Sequence, residues 1–464
     1  MIWNPKYSTP ILLVVLAAVD LSRVLPVDGF VSAAMAQDDD DGGGDADYDD
    51  DGPATRPTAT PGRSVTPTAP RAPKVQPVAP GQPRAIAAPL PIAAAGEIVV
   101  TGLSDDDLAL LLEQGFAVIE AAALVHNGPT LHRLRVPDDL TLVEARTLVR
   151  ARATGQNADF SHYFRSGQDV APAAAPALDP AKAVNANCSH LNCASLAQID
   201  WPERRDASCQ ATVEIGVIDT GVNLQHAGLD AARVDLIRVT DGALPSSGET
   251  HGTAVVALLV GAEARAPGLL PEGRIAAVDI FSRPDGDERA DVAHLIRALD
   301  LLSQRGIRVA NLSLAEPENT VLTDMLATVA AQGMLVVAAA GNAGPAAPPA
   351  WPAAAETVLA VTAVDSGDRV YRRALRGDHL DLAAPGVDVW SAAAVKGVKP
   401  RTGTSFAAPF ATAAAAILMS RDPALTPALV RNQLQGLTRD LGEAGTDAVY
   451  GAGVLSLVRL CGGA

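Results

Sequence analysis

Five largely apolar runs recur after residue 212, at residues 213–218, 274–281, 308–314, 335–340 and 357–363. They are short and do not alternate cleanly between apolar and polar positions, the pattern of strands covered on both faces. Longer stretches at 252–262, 290–305, 320–332, 404–420 and 426–436 read as helices. Pro409 falls within the first turns of the 404–420 helix, where a missing N–H costs little. The alternation predicts an α/β fold: a doubly wound parallel sheet with helices on both faces and a cleft along the carboxyl ends of its strands.

A different pattern precedes it. Strand-like segments at 97–101, 115–124, 130–136 and 159–164 are interleaved with helical ones at 105–113 and 141–153. Leu108, Leu111 and Leu112 recur at helical spacing, as do Leu142, Ala145, Leu148 and Val149. Strand, helix, strand, strand, helix, strand is the order of a small α+β ferredoxin-like module.

Composition organises the remainder. Residues 38–51 hold nine aspartates, and 53–91 hold eleven prolines with five Lys or Arg. Such segments bury too little apolar surface to fold and read as a disordered linker. The aspartates account for much of the net charge of −17, so overall acidity says little about substrate, and no basic patch supports nucleic-acid binding. Lys6, the apolar run 11–19 and Ala34-Met35-Ala36 form a secretory-signal pattern, too short for a permanent membrane span. The expected organisation is a signal peptide at 1–36, an acidic then Pro/Ala-rich linker at 37–95, the ferredoxin-like domain at 96–165, an Ala/Pro connector at 166–187 and the α/β domain at 188–464. Cys188, Cys193, Cys209 and Cys461 all lie in the last of these. An even number in an exported chain favours two disulfides, with three connectivities open.

Four segments carry candidate chemistry. Asp219 ends the 213–218 strand, where open α/β sheets build their sites, and His251 stands at the start of a helix, able to exchange protons near neutral pH. Asn342 follows the 335–340 strand and can serve a turn or aim its amide at an oxyanion. Ser405, in Gly403-Thr404-Ser405-Phe406-Ala407-Ala408-Pro409, opens a run of small residues as a helix cap or as a nucleophile. Any one of these is ordinary; an acid, a proton shuttle, an oxyanion donor and a nucleophile in four separate segments form a chemically complete set.

Val217-Ile218-Asp219-Thr220-Gly221, His251-Gly252-Thr253, Ala339-Ala340-Gly341-Asn342 and Gly403 to Pro409 resemble the motifs of the subtilisin-like serine proteases, the subtilases. The resemblance covers roughly the last 270 residues, about the size of one catalytic domain. With the signal pattern, which makes the protein secreted or periplasmic, it implies a serine endopeptidase made as a zymogen, with Ser405 as nucleophile, His251 as general base and acid, Asp219 as its orienting partner and Asn342 as oxyanion donor. It also implies that Ser313, Leu314 and Ala315 pair with an extended substrate while Ala339, Ala340 and Gly341 form the opposite pocket wall, with room for a medium or large apolar side chain. A plain core strand is the other reading of 309–314. Residues 96–165 become a propeptide and intramolecular inhibitor, with an unrelated accessory domain as the alternative.

The chemistry asks for no metal or organic cofactor. Calcium, common in the family, finds no oxygen-rich loop after Gly261. Expected partners are protein or peptide substrates met by a monomer, without nucleic acid and without a permanent membrane span. Many subtilases carry a second histidine soon after the first; here Gly252-Thr253-Ala254 follows, a departure outside the triad. Two other readings remain: an inactive binding protein of the same fold, which substituted triad positions would mark, and an aspartic-type hydrolase using Asp219-Thr220-Gly221, which needs a second such motif where the sequence has one copy.

Overall fold

The computed structural model describes residues 90–126, 128–167, 188–201, 210–240, 242–315 and 317–461. The expected signal peptide, nearly all of the acidic and Pro-rich stretch, most of the expected connector, Cys209 and the side chain of Cys461 therefore lie outside the described residues. Everything below belongs to one of the chain's two compact units, Ala85–Ala464.

The first elements are β1 (Ala93–Thr101), α1 (Asp105–Glu113), β2 (Ala117–Ala123), β3 (Thr130–Arg135), α2 (Leu142–Arg150) and β4 (Asp159–Ser166). They form an antiparallel sheet in the order β4-β1-β3-β2. β1 begins at Ala93, inside the stretch that composition assigned to the linker. Ser104 caps α1, and Thr141 with Glu144 makes a reciprocal capping box on α2. α2 stops short of 153 because Asp107 accepts from both the backbone and the hydroxyl of Thr154, pinning the turn that follows it. Ile98, Val100, Leu111, Leu134, Ala145 and Val149 close a small core between helices and sheet.

The larger part contains α3 (Cys193–Gln198), β5 (Ile215–Asp219), β6 (Val234–Arg238), α4 (Thr250–Val260), β7 (Ile275–Asp279), β8 (Ala290–Asp291), α5 (Val292–Gln304), β9 (Val309–Leu312), β10 (Leu314–Ala315) and α6 (Thr320–Ala331). It continues with β11 (Leu335–Ala339), β12 (Leu359–Val364), β13 (Leu382–Pro385), β14 (Val389–Ala392), β15 (Val398–Arg401), α7 (Thr404–Arg421), α8 (Pro427–Gly436), β16 (Thr438–Arg439), β17 (Val454–Leu455) and α9 (Val458–Cys461). Its sheet runs β16-β17-β13-β12-β11-β9-β5-β7-β6, with every pairing parallel except β16 to β17.

Successive residues of one strand feed opposite cores. Leu335, Val337 and Ala339 of β11 face the cluster holding α4, α7 and α8, while Val336 and Ala338 face α5 and α6. Two covered faces explain why the strands read as continuous apolar runs. α7 is buried from Thr404 to Met419, and its small side chains let a helix apolar all round pass beneath the sheet. The order of strands reverses direction at β5, whose neighbours are β7 and β9, so its carboxyl end opens onto the crevice where such sheets bind ligands.

The apolar run 308–314 is two strands. β9 pairs with β5 and β11, then the chain breaks at Ser313 and β10 leaves the main sheet to pair antiparallel with β4. β8 takes the other edge of β4. Beside this pairing, the carboxylate of Asp159 accepts from the backbone and hydroxyl of Thr320 in the first turn of α6, and Asp300 of α5 accepts from the backbone of Val125 and His126. Val99, Leu124, Leu131 and Phe164 join the core of α5 and α6. The small domain is thus docked by strand pairing, a shared core and a borrowed helix cap.

His162 lies within that contact, its Nδ1 3.0 Å from the Asn319 amide nitrogen, whose other bond goes to the Phe160 carbonyl. Burial holds His162 below its ordinary value of 6.5, with Asp159 pulling it up and Arg146 pushing it down. A depressed histidine is docked as the neutral base, so this contribution is present above 6.5 and lost as pH falls through the lowered value. Protection factors along β4, exchange rates corrected for the intrinsic pH dependence of amide exchange, should therefore fall on acidification. His162→Gln, which keeps an acceptor and does not titrate, should flatten that dependence; an unchanged pH profile in the variant would assign it elsewhere.

Cys188 and Cys193 form a disulfide with Cα atoms 5.8 Å apart, closing a short loop ahead of α3. With His190 they also form a cluster of metal-ligand type, but both sulfurs are committed to the bridge.

Candidate active site

Asp219 ends β5 and is buried. Its Oδ1 accepts from the Thr220 backbone at 2.7 Å and lies 2.7 Å from His251 Nδ1. A carboxylate can only accept, so Nδ1 carries the hydrogen and Nε2 becomes the basic nitrogen. His251 is the second residue of α4, which begins two residues earlier than the 252–262 boundary suggests. Gly252 makes this approach possible. A Cβ there would lie 2.4 Å from the Thr220 carbonyl oxygen and 2.6 Å from that of Gly221. The Gly252 N–H instead donates to Thr220 Oγ1, locking helix and turn together.

Behind this pair stands a carboxylate that sequence reading missed. Asp279 ends β7 in register with Asp219. It accepts from Ser247 Oγ and the Phe281 backbone, and burial pushes its carboxyl up. Ser247 Oγ in turn accepts from Gly221 N–H, so Asp279 steadies the turn that carries Asp219. The available signal was a repeated apolar-Asp ending on two strands, meaningful only once their register is known. The two carboxylates have separate partners and share no hydrogen bond among the described residues, which argues against aspartic-type chemistry through a shared proton.

Ser405 is the second residue of α7 and is buried, beside Phe406, whose ring centroid lies 5.6 Å from that of His251. Gly403 precedes the helix at φ 153°, a conformation open to glycine. Pro409 sits at the sixth position of α7, within its first turns as the sequence reading has it, but beyond the first turn its missing N–H has a cost: it deprives the Ser405 carbonyl of its helical partner. The Ser313 hydroxyl supplies that partner at 3.2 Å. Ser313 accepts from Asn311, which accepts from Thr412 of α7, so a buried polar chain ties the break between β9 and β10 to the backbone of Ser405.

Asn342 follows β11. Its Oδ1 accepts from the backbone and hydroxyl of Thr404, both at 3.1 Å, which fixes the amide and turns Nδ2 away from the helix. Thr404 also accepts from the Gly341 backbone, joining the ends of β11 and α7. Leu314 and Ala315 of β10 pair with Ser166 and Arg165. Ala339 and Ala340 are buried at the end of β11, and a Cβ on Gly341 would meet Ala350, Ala315 and Leu375 within 3.7 Å. The candidate residues of β10 and of the 339–341 segment therefore converge on one groove.

That groove is filled by the strand emerging from β4. A Cβ on Gly167 would lie 2.5 Å from Ser405 Oγ and 3.2 Å from Asn342 Nδ2, so hydroxyl and amide converge on one backbone position. An extended chain is held there on both edges, its last described residue against a serine, an amide donor and a nearby imidazole–carboxylate pair. The arrangement can perform acyl transfer on a peptide carbonyl.

Residues 210–453 match the Subtilase family. The chain is 30% identical to subtilisin DY of Bacillus licheniformis over 260 residues, 53% of this chain and 90% of that protein. It is also 30% identical to minor extracellular protease Epr of Bacillus subtilis over 52% of this chain and 37% of that one. Among solved structures, fervidolysin from Fervidobacterium pennivorans, a keratinolytic enzyme related to subtilisin, superposes with a TM-score of 0.67 at 19% identity, covering 80% of this chain and 62% of that one. The family match spans the elements that carry Asp219, His251, Asn342 and Ser405, and the chain belongs to the subtilase family of serine endopeptidases.

Proposed function

We propose that the protein is a secreted endopeptidase, made as a zymogen, in which Ser405, His251, Asp219 and Asn342 hydrolyse peptide bonds through an acyl-enzyme. The observation that carries this reading is the convergence of Ser405 Oγ and Asn342 Nδ2 on Gly167, at the end of a strand paired on both edges. His251 takes the Ser405 proton as the oxygen attacks the carbonyl carbon, and returns it to the amine as the C–N bond breaks. A water deprotonated by His251 then attacks the ester, releasing the acid and restoring Ser405. Asn342 Nδ2 and the Ser405 backbone N–H hold the charge on the carbonyl oxygen. No step uses a metal or an organic cofactor.

The same reading makes residues 96–165 the propeptide and Gly167–Gln168 the bond it presents for self-cleavage, since Gly167 is the residue at the nucleophile. While that strand fills the groove, external substrates are excluded. Export is supported by the signal pattern and by the extracellular name of one relative. No helix among the described residues is long and apolar enough to cross a membrane.

A fluorophosphonate probe tests the core of the proposal: a stoichiometric adduct on the Ser405 peptide, with loss of peptide hydrolysis, is expected once the amino-terminal domain is cut away. No adduct on the processed chain would sink it. Asn342→Ala should retain labelling but lower kcat about a hundred- to a thousandfold, the loss known for the oxyanion asparagine of subtilisin itself. A change confined to KM would instead make Asn342 a binding residue.

A further inference from the structure

The groove carries a charge that the chemistry at Ser405 does not use. Arg165 lies two residues before Gly167, where β4 is paired with Ala315. Its guanidinium meets Asp287 side-on, Nε 3.2 Å from Oδ1 and Nη2 3.0 Å from Oδ2, with the two side chains 18% and 10% exposed. Paired parallel N–H···O bonds of this kind select a planar guanidinium over a point charge.

Asp287 belongs to the catalytic part of the chain, just after the turn Pro284–Gly286 and before β8. Arg289 donates to its Oδ2 at 2.6 Å while stacking over the Tyr163 ring, 4.3 Å from the centroid. The carboxylate is therefore oriented by its own loop as well as by the strand it receives. Burial would raise its carboxyl, but Arg165 and Arg289 outweigh that and hold it below the ordinary range.

We infer that Asp287 is a specificity-determining residue: the enzyme prefers substrates with arginine two residues before the one whose carbonyl Ser405 attacks. The inference rests on the protease reading and extends it from the reaction to a class of peptide. β8 and β10 offer the same edges to any extended chain after β4 has left, and the register that seats Gly167 at Ser405 sets the residue two before it opposite Ala315, in reach of Asp287. One bond of Arg165, from Nη2 to the Pro91 carbonyl, stays within the amino-terminal domain and is absent for a substrate. The Asp287 fork is a contact that a substrate arginine at this position would share with Arg165.

Enzyme matured from the full chain, with active sites counted by fluorophosphonate labelling of Ser405, would be given internally quenched peptides that differ only at Xaa of Phe-Xaa-Ser-Gly-Gln. Arginine should exceed alanine in kcat/KM by about ten- to a hundredfold, the range for a hydrogen bond to a charged group, with lysine between them and glutamate lowest. Asp287→Lys should invert the order of the arginine and glutamate peptides. The wild-type series needs no variant, so a misfolded substitution leaves the question answerable. Equal rates for arginine and alanine in a chain that labels at Ser405 would overturn the assignment of Asp287 and leave the protease standing. A processed chain that neither labels nor cuts any peptide would overturn both.

Discussion

Ser405→Ala is expected to lower peptide hydrolysis by about a millionfold, the scale on which removal of a triad nucleophile acts in subtilisin. The same chain should accumulate uncut across Gly167–Gln168. The fold should survive, because what Ser313 contributes to α7 is a bond to the backbone carbonyl at 405, which alanine retains. Alanine is also the residue best suited to a helix interior. Mass spectrometry of the amino termini reads both points: an intact connector in the variant beside a cut one in the wild type is the expected pair. The same processed terminus in both would show that another protease makes the cut.

Asp219→Asn should cost about ten-thousandfold in kcat while leaving the geometry nearly intact, the behaviour of this change in a triad of the same design. The present hydrogen bond obliges His251 to carry its hydrogen on Nδ1, because a carboxylate oxygen cannot donate. An amide at 219 can donate, so the imidazole can settle with its hydrogen on Nε2, where no lone pair remains to take the Ser405 proton. Asp279 gives no substitute, since its oxygens are occupied by Ser247 and Phe281. Activity within tenfold of wild type would remove Asp219 from the mechanism.

The parts of the site that sequence made legible are those where a polar residue interrupts a buried apolar run. Asp219, His251, Asn342 and Ser405 each stand at such a junction, and the strands and helices beside them are long enough for their periodicity to register. What escaped has other causes. β13 is a four-residue run ending in proline, and β14 and β15 form a hairpin with a lysine and a proline, so neither carries a strand-like pattern. The break between β9 and β10 is invisible because Ser313 sits between two leucines, and only the arrival of β4 gives the second half a partner. Asp279 and Asp287 look like ordinary acidic positions. Their roles come from a strand register and from a guanidinium 122 residues away in sequence, and local patterning encodes neither.

The seating of β4 between β8 and β10 also bears on what the proposed cut after Gly167 would leave behind. Breaking one peptide bond removes the tether but none of the pairing, the helix cap on α6 or the burial of Phe164. What had been held by chain connectivity, at a high effective concentration, becomes an ordinary bimolecular complex. Occupancy then depends on how much of both pieces is present. In a crowded compartment the severed domain rebinds, whereas in a dilute medium it drifts off. On the zymogen reading proposed above, dilution by itself, rather than a second chemical signal, thus sets when the groove becomes free.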